Sequence, residues 1–135
     1  MALTLTAAVA NAMLDAGIGT PANSGLLRVY DGSRPATPST AVSTQVKLLE
    51  FNMPADAFPA AASGVLTANA IAAAVGLAVG TASWFRLLQS NGTTALIDGS
   101  VTESGGGGDC IIDEADITIG GSSAISSLVL TQPLG

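Results

Sequence analysis

Four acidic side chains lie close together in the last third of the sequence, at Asp109, Asp113, Glu114 and Asp116. Carboxylate oxygens are the ligands that Ca²⁺ prefers, so these residues form a candidate cation site. They lack the spacing of an EF-hand loop, and a solvated turn between two strands explains them as well. The sequence favours the turn and predicts no metal. It leaves open whether Asp113, Glu114 and Asp116 hold an ion.

Phosphate chemistry is suggested by two short motifs, and neither is complete. Residues 113–116 spell a helicase signature, but the chain lacks the glycine-rich loop ending in Gly-Lys-Ser/Thr that this chemistry needs. The four glycines at 105–108 could cradle an anion through backbone N–H groups. Because Glu103 and Asp109 on either side would repel phosphate, a flexible strand connection is the better interpretation.

Nucleophilic side chains are present, but the groups that would activate them are not. The sequence has no His, which removes the commonest general base and metal ligand. Serines and the single Cys110 therefore lack a partner base, and Lys47 is a poor substitute within a strand. Cys110 beside two isoleucines is expected to be a small core side chain. The sequence predicts a protein that is not an enzyme and needs no cofactor.

Trp84, Phe85 and Arg86 form the densest cluster of chemically distinctive side chains. Trp and Arg are enriched where interfaces hold their binding energy, so Trp84 and Arg86 are candidate contact residues. The alternative is that Trp84 lies in the core and Arg86 pairs with a carboxylate. With only five aromatic residues in the chain, the core position is favoured for Trp84.

Composition points to a protein that is covered by neighbours. Of 135 residues only 10% are charged, against roughly 25% in ordinary soluble domains, and the net charge is −6. A free monomer with so few charged residues is expected to be poorly soluble, and assembly with other proteins is therefore expected. Four basic residues cannot supply a phosphate-binding footprint, which argues against nucleic acid.

Residues 57–85 contain no charged side chain, which raises the alternative of a membrane-spanning segment. The stretch is mostly Ala, Gly, Ser and Thr, and no basic residue flanks its beginning, so short strands with small-residue turns are favoured over a span. The N-terminal segment MALTLTAAVANAMLDAG lacks the basic region of a secretory signal and is expected to be mature structure.

The predicted elements are one helix followed by strands. A helix is expected near 4–16, capped by Thr4 or Thr6, ended by Gly17, with Val9, Met13 and Leu14 on one face. Strands are predicted at LLRVYD, TQVKLLEFN, GVLTA and TASWFRLLQS, then at TTALID, DCII, DITIGG and AISSLVLTQ. Asn91-Gly92 predicts a hairpin, since both residues tolerate positive φ.

These elements predict a single mainly β domain over residues 1–135, a β-sandwich or barrel with one N-terminal helix. A Pro-rich exposed loop is expected near 32–40.

Four pieces of the chain carry a resemblance: LTAAVANAMLDA, GLLRVYDGSRPAT, VGTASWFRLLQSNG and AISSLVLTQP. They resemble small structural proteins encoded in the virion modules of tailed bacteriophages, most closely a capsid decoration (cement) protein. The resemblance implies a non-enzymatic virion component on the capsid surface, made in the host cytoplasm. Its implied partners are the major capsid protein and copies of itself in a homotrimer, with no nucleic acid and no membrane.

Contact residues are expected in the N-terminal segment at Leu3 and Leu5, in the loop at Arg34, Pro35 and Pro38, in the glycine loop, and at Trp84 and Arg86. Two other functions stay open: a neck, tail or fibre component, and a receptor- or carbohydrate-binding β-module on a tail. The second is disfavoured because such modules usually present aromatic platforms, and this chain has one Trp and one Tyr.

Overall fold

A computed structural model describes residues 3–132 of the chain. It contains the helix α1 (Ala7–Leu14), a π-helical turn (Asp15–Gly19) and eleven strands. The strands are β1 (Leu26–Tyr30), β2 (Lys47–Asn52), β3 (Val65–Thr67), β4 (Ala74–Val75), β5 (Gly80–Thr81), β6 (Trp84–Leu88), β7 (Ala95–Glu103), β8 (Cys110–Ile112), β9 (Asp116–Ile117), β10 (Ser122–Ser123) and β11 (Ile125–Thr131). The predicted class, mainly β with one N-terminal helix, is confirmed.

Helix α1 is shorter than predicted and is oriented differently. Thr6 caps it by accepting the N–H of Val9 at 3.2 Å. Gly17 does not end it, because the chain continues through a π-helical turn in which the N–H of Thr20 donates to the carbonyl of Asp15. The predicted buried face is wrong in part: Ala10 and Leu14 are buried, whereas Val9 and Met13 are exposed.

One seven-stranded mixed sheet organises the domain, in the order β2-β1-β6-β7-β8-β11-β3. Two further pairs, β4 with β10 and β5 with β9, form small two-stranded sheets. The predicted β6–β7 hairpin around Asn91-Gly92 is confirmed. Only Gly92 has a positive φ, of 72°, and Asn91 instead accepts the N–H groups of Thr93 and Thr94 with its side chain.

Strand β6 is buried at all five positions, so both faces of the sheet are covered there. On the inner face, cross-strand rows of apolar side chains form the core, and they include Leu27 beside Leu87 and Val29 beside Phe85. Gly99 pairs with Phe85, and a Cβ at Gly99 would lie 2.5 Å from the Phe85 ring. The glycine therefore makes room for the largest side chain of this row.

The charge-free segment, residues 57–85, holds β3, β4, β5 and the first two residues of β6. Within residues 3–132, no helix is both long enough and apolar enough to cross a membrane. The N–H of Leu77 donates to the carbonyl of Leu48, which attaches this segment to the β2 edge of the sheet.

Strands β7 and β8 are parallel neighbours joined only by residues 104–109. Parallel strands normally need a crossover of a dozen or more residues. This short return is possible because Gly105 and Gly107 adopt φ of 91° and 77°, and because Gly106 and Gly108 pass close over Thr102. The four glycines are thus required by the chain reversal, which gives them a structural role.

We expect Gly106→Ala to lower the free energy of unfolding by about 1–3 kcal/mol, as overpacking does. A Cβ at this position would lie 2.6 Å from the Cβ of Thr102, which cannot rotate away. Urea titration of the wild type and the variant measures the difference. An unchanged midpoint would mean that the return loop has room to shift.

Candidate interaction surface

The outer face of the sheet has a row of four charged side chains across four neighbouring strands. Glu50 pairs in register with Arg28, Arg28 with Arg86, and Arg86 with Asp98, on β2, β1, β6 and β7 respectively. The two arginines at the centre are adjacent like charges, which is unfavourable on a sheet. Each is neutralised by a carboxylate on its other side.

Arg86 and Asp98 form a bidentate, buried ion pair. Arg86 Nε donates to Asp98 Oδ1 at 2.7 Å and its Nη2 to Oδ2 at 2.9 Å, with side-chain exposures of only 7% and 4%. The hydrogen bond that Arg86 donates to Asp98 raises the pKa of Arg86 above its ordinary value, although burial opposes the charge. The guanidinium is therefore permanently charged and fixed in one plane.

The remaining donors of Arg86 reach the connection between β1 and β2, residues 31–46, which we call the anchored loop. Nη1 donates to the carbonyl of Thr40 at 2.8 Å and Nη2 to that of Thr37 at 3.3 Å. The N–H of Thr40 also donates to the carbonyl of Thr37, closing a turn. One buried cation thus ties this turn to the centre of the sheet.

The base of the anchored loop is held by residues of β6 and its approach. Trp84 Nε1 donates to the carbonyl of Asp31 at 3.0 Å, and Ser83 Oγ donates to the carbonyl of Gly32 at 2.6 Å. At the far end, the N–H of Val46 donates to Asp31 Oδ1 at 2.6 Å. A long connection is therefore fixed at both ends and in its middle.

The structure brings five of the predicted contact residues together at this loop. Arg34 is exposed, and Pro35 and Pro38 are half-buried. Trp84 and Arg86 lie underneath, with exposures of 2% and 6%, so the expectation that they contact a partner directly is corrected: they support the loop instead. Leu3 and Leu5 lie elsewhere, in the segment leading into α1, which packs beside β3.

Trp84 does not present a stacking platform. Its ring is stacked on Tyr30 at a centroid distance of 4.6 Å, and the Arg86 guanidinium lies 5.5 Å from the ring centre. A shallow depression of about 350 Å³ adjoins the loop and is lined by Gly32, Ser33, Arg34, Ser83, Trp84 and Ser100. The serines of this lining offer hydroxyl groups and Arg34 offers a cation, whereas the Trp84 ring is 2% exposed and presents almost no face to a sugar ring.

The ion pair at the other end of the charge row, between Arg28 and Glu50, is more exposed to solvent. Arg28 Nε donates to Glu50 Oε1 at 2.7 Å and Lys47 Nζ lies 3.5 Å from the same oxygen, but these side chains are 25–38% exposed. The hydrogen bond from Arg28, aided by the charge of Lys47, lowers the pKa of Glu50 against the opposing effect of burial. Solvent screening makes this pair far weaker than the Arg86–Asp98 pair.

The acidic residues of the last third accept hydrogen bonds from the backbone. Asp109 accepts the N–H of Ser100, Asp113 that of Ala124, and Glu103 that of Ala115. In the described part of the chain, no three side chains of the metal-ligating types come together. The candidate cation site at Asp113, Glu114 and Asp116 therefore has no assembled ligand set there.

Cys110 is completely buried in the core, as expected from the sequence. Burial, with a smaller effect from Asp109, raises the pKa of the thiol from 9.0 to about 12. At neutral pH the thiol therefore stays protonated, and a protonated thiol is a poor nucleophile. The side chain is therefore a packing group.

We expect Cys110 to resist Ellman's reagent at pH 8 until urea unfolds the chain. Its raised pKa also stabilises the folded state fully below pH 9 and progressively less from pH 9 towards pH 12, at up to about 1.4 kcal/mol per pH unit. Cys110→Ala should lack this contribution, so the difference in unfolding free energy between the two proteins should shrink over that range. Rapid labelling of the folded protein would contradict the burial.

Asp98 and Tyr30 are the functional residues that the sequence analysis missed. Once the hairpin is centred near Asn91-Gly92, antiparallel pairing places Asp98 opposite Arg86, so the signal for the ion pair was present. No local signal marks Tyr30, because it meets Trp84 only through the pairing of β1 with β6. Neither a protein-family model, nor a curated protein, nor a solved structure matches this chain.

Proposed function

We propose that this chain is a non-enzymatic structural protein of a tailed-bacteriophage particle, which binds the capsid lattice as a decoration (cement) protein. Its partners are the major capsid protein and copies of itself in a homotrimer, on the outer surface of the shell. The observation that supports this most is the anchored loop: an exposed connection whose backbone is held by the buried Arg86–Asp98 pair. A loop ordered before binding loses little entropy on binding.

Arg34 is the residue of this loop best placed for contact with a lattice. The other three cations, Arg28, Lys47 and Arg86, form ion pairs within the chain. Arg34 forms no ion pair with the described residues and projects from the exposed loop. Its guanidinium can bind a carboxylate of a neighbouring protein in a bidentate manner.

The test is add-back of purified protein to particles that lack it, followed by electron cryo-microscopy and thermal challenge of the particles. Wild-type protein should occupy the shell in many copies and raise the temperature at which particles release DNA. Arg34→Ala should weaken binding by about tenfold or more, as loss of a central contact does. Lys47→Ala is the matched control: it removes one positive charge outside the exposed stretch 32–40 and should bind normally.

A neck, tail or fibre component is the alternative, and the same images separate the two. A few copies confined to the neck or tail, with none on the shell, would replace the decoration role with this one. A receptor- or carbohydrate-binding module is less well supported, since Trp84 is buried beneath the anchored loop.

A further inference from the structure

Asn91-Gly92, which marks the β6–β7 hairpin, is also the only Asn-Gly pair in the sequence, and such a pair can modify itself. The backbone nitrogen of Gly92 attacks the side-chain carbon Cγ of Asn91, and the new C–N bond closes a five-membered succinimide ring. The bond from Cγ to Nδ2 breaks, and ammonia leaves with the proton that the Gly92 N–H has lost. Water then opens the ring to aspartate or isoaspartate. Glycine places no side chain in the way of the attack.

The Asn91 side chain is exposed to water, yet both reacting groups are held by hydrogen bonds in the folded hairpin. The N–H of Gly92, the nucleophile, donates to the carbonyl of Gln89 at 3.0 Å. Asn91 Oδ1 accepts the N–H of Thr93 at 2.9 Å and that of Thr94 at 3.0 Å. Asn91 Nδ2, the leaving group, donates to Thr94 Oγ1 at 2.8 Å. The carboxamide is therefore fixed at its oxygen and at its nitrogen.

The turn as a whole is also held in place. The N–H of Gln89 donates to the carbonyl of Thr94 at 2.9 Å, which closes the turn through the main chain. On the other side the turn lies against β1, because a Cβ at Gly92 would be 3.4 Å from both Arg28 Nη2 and Leu26 Cδ1. Opening of the turn therefore breaks its own hydrogen bonds and its packing on a central strand.

We propose that Asn91-Gly92 is a self-modification site controlled by folding: the closed hairpin preserves the amide, and a chain whose hairpin is open converts it to aspartate or isoaspartate. Ring closure needs the Gly92 N–H to be lost and the Asn91 carboxamide to turn its face to the nitrogen, and the hydrogen bonds of the turn oppose both. The reaction rate is then set by the fraction of time that the hairpin is open. This inference does not depend on the proposed function.

The two products have different effects on the fold. An aspartate at position 91 keeps carboxylate oxygens that accept the N–H groups of Thr93 and Thr94. Isoaspartate instead adds a methylene to the main chain of the turn, and the turn fixes the register of the two strands. The register that places Asp98 opposite Arg86 is then disfavoured, and with it the buried ion pair. A chain with isoaspartate is therefore unable to return to the native hairpin.

Peptide mass mapping of the full-length protein after incubation at mildly alkaline pH, in buffer and in urea, measures loss of the amide at position 91. A peptide of residues 87–96 in both solvents controls for any effect of urea on the chemistry. The loss should be at least about tenfold slower in the folded protein than in the unfolded chain, which corresponds to a hairpin open less than about a tenth of the time. Equal rates would overturn the proposal. So would faster loss in the folded protein, which would mean that the N–H groups of Thr93 and Thr94 stabilise the oxyanion of ring closure.

Thr94→Val tests the hold on the leaving group, since it removes the acceptor of Asn91 Nδ2 and keeps a β-branched side chain. The amide should be lost severalfold faster in the folded variant and at the wild-type rate in urea. Thr93→Val is the matched control, because the Thr93 hydroxyl forms no hydrogen bond with the described residues and only its N–H contacts Asn91; it should keep the wild-type rate. Equal rates for the two folded variants would contradict the assigned hold on the carboxamide.

Brief proteolysis after refolding tests the effect of the products. Protein incubated in urea is returned to buffer and treated with protease, which removes chains that have not refolded. Isoaspartate at position 91 should be depleted from the surviving protein, and aspartate should be retained. Asn91→Asp is the control for the tolerated product and should unfold at the wild-type urea midpoint. Equal survival of the two products would overturn the inferred effect of isoaspartate on the hairpin.

Discussion

Asp98→Ala is expected to lower the free energy of unfolding by about 3–5 kcal/mol, because it leaves the Arg86 guanidinium buried without a counter-charge. Arg86 is only 6% exposed, beside the Trp84 ring and beneath the anchored loop, so that water has little access to replace both carboxylate oxygens. Urea unfolding followed by the fluorescence of the single Trp measures the loss directly, since that Trp stands beside the pair.

Glu50→Ala is the matched control for this result. It removes a carboxylate from the other end of the same charge row, where the partners are about a quarter or more exposed, and should cost no more than about 1 kcal/mol. Equal losses in the two variants would show that Arg86 is not desolvated as described. The double variant Arg86→Met with Asp98→Leu should recover most of the stability, as apolar replacement of a buried pair often does.

The same double variant separates stability from loop order. Without Arg86 the turn at Thr37 and Thr40 loses its two guanidinium hydrogen bonds. Limited proteolysis should then cut within residues 31–46 faster than in the wild type, although the unfolding midpoint is nearly restored. Unchanged cleavage would mean that the hydrogen bonds at the two ends of the loop suffice to hold it.

Gly76→Ala is expected to cost about 3 kcal/mol, at the upper end of what overpacking causes. A Cβ at this position would lie 1.9 Å from the carbonyl oxygen of Thr118, and backbone cannot rotate out of the way. Separation of the two segments would also strain the hydrogen bonds of Gly76 with Gly120 and Gly121. Urea titration reports the destabilisation.

Gly17→Ala is the control for this substitution. No atom lies within 4 Å of the position that the added methyl group would take, and the φ of Gly17 is not in the left-handed region. The extra methyl should therefore stabilise the fold by about 0.4–1 kcal/mol, by restricting the unfolded chain. A similar loss at Gly17 and Gly76 would show that the close approach of Gly76 to Thr118 is not responsible.

The strands were predictable because their signals are local. Alternation in LLRVY, the apolar run WFRLL, and the Asn-Gly pair between two apolar runs indicate where β1, β6 and the hairpin lie. The helix face was not predictable. In AAVANAML the apolar residues surround the whole helix, so periodicity cannot choose between Ala10 and Val9 as the buried side.

The candidate surface was predictable only in part. Arg34, Pro35 and Pro38 were found by their position in a Pro-rich loop, but the charge row depends on the register of four strands, which are not all neighbours in sequence. The short parallel return at residues 104–109 was missed for a related reason. A run of glycines indicates unusual backbone torsion angles, but it does not indicate that the next strand pairs in parallel with the preceding one.

The pairing of β1 with β6 has a consequence for the order of folding. The two strands are central neighbours, yet more than fifty residues separate them, whereas β6 and β7 are joined by a short turn. The hairpin can close within microseconds, while β1 must wait for a long loop to close. Until then β6 has an open hydrogen-bonding edge, to which β1 of another nascent chain can pair as well as its own. Rapid synthesis at high copy number therefore favours strand exchange between chains, and slow, cool expression favours the closed fold.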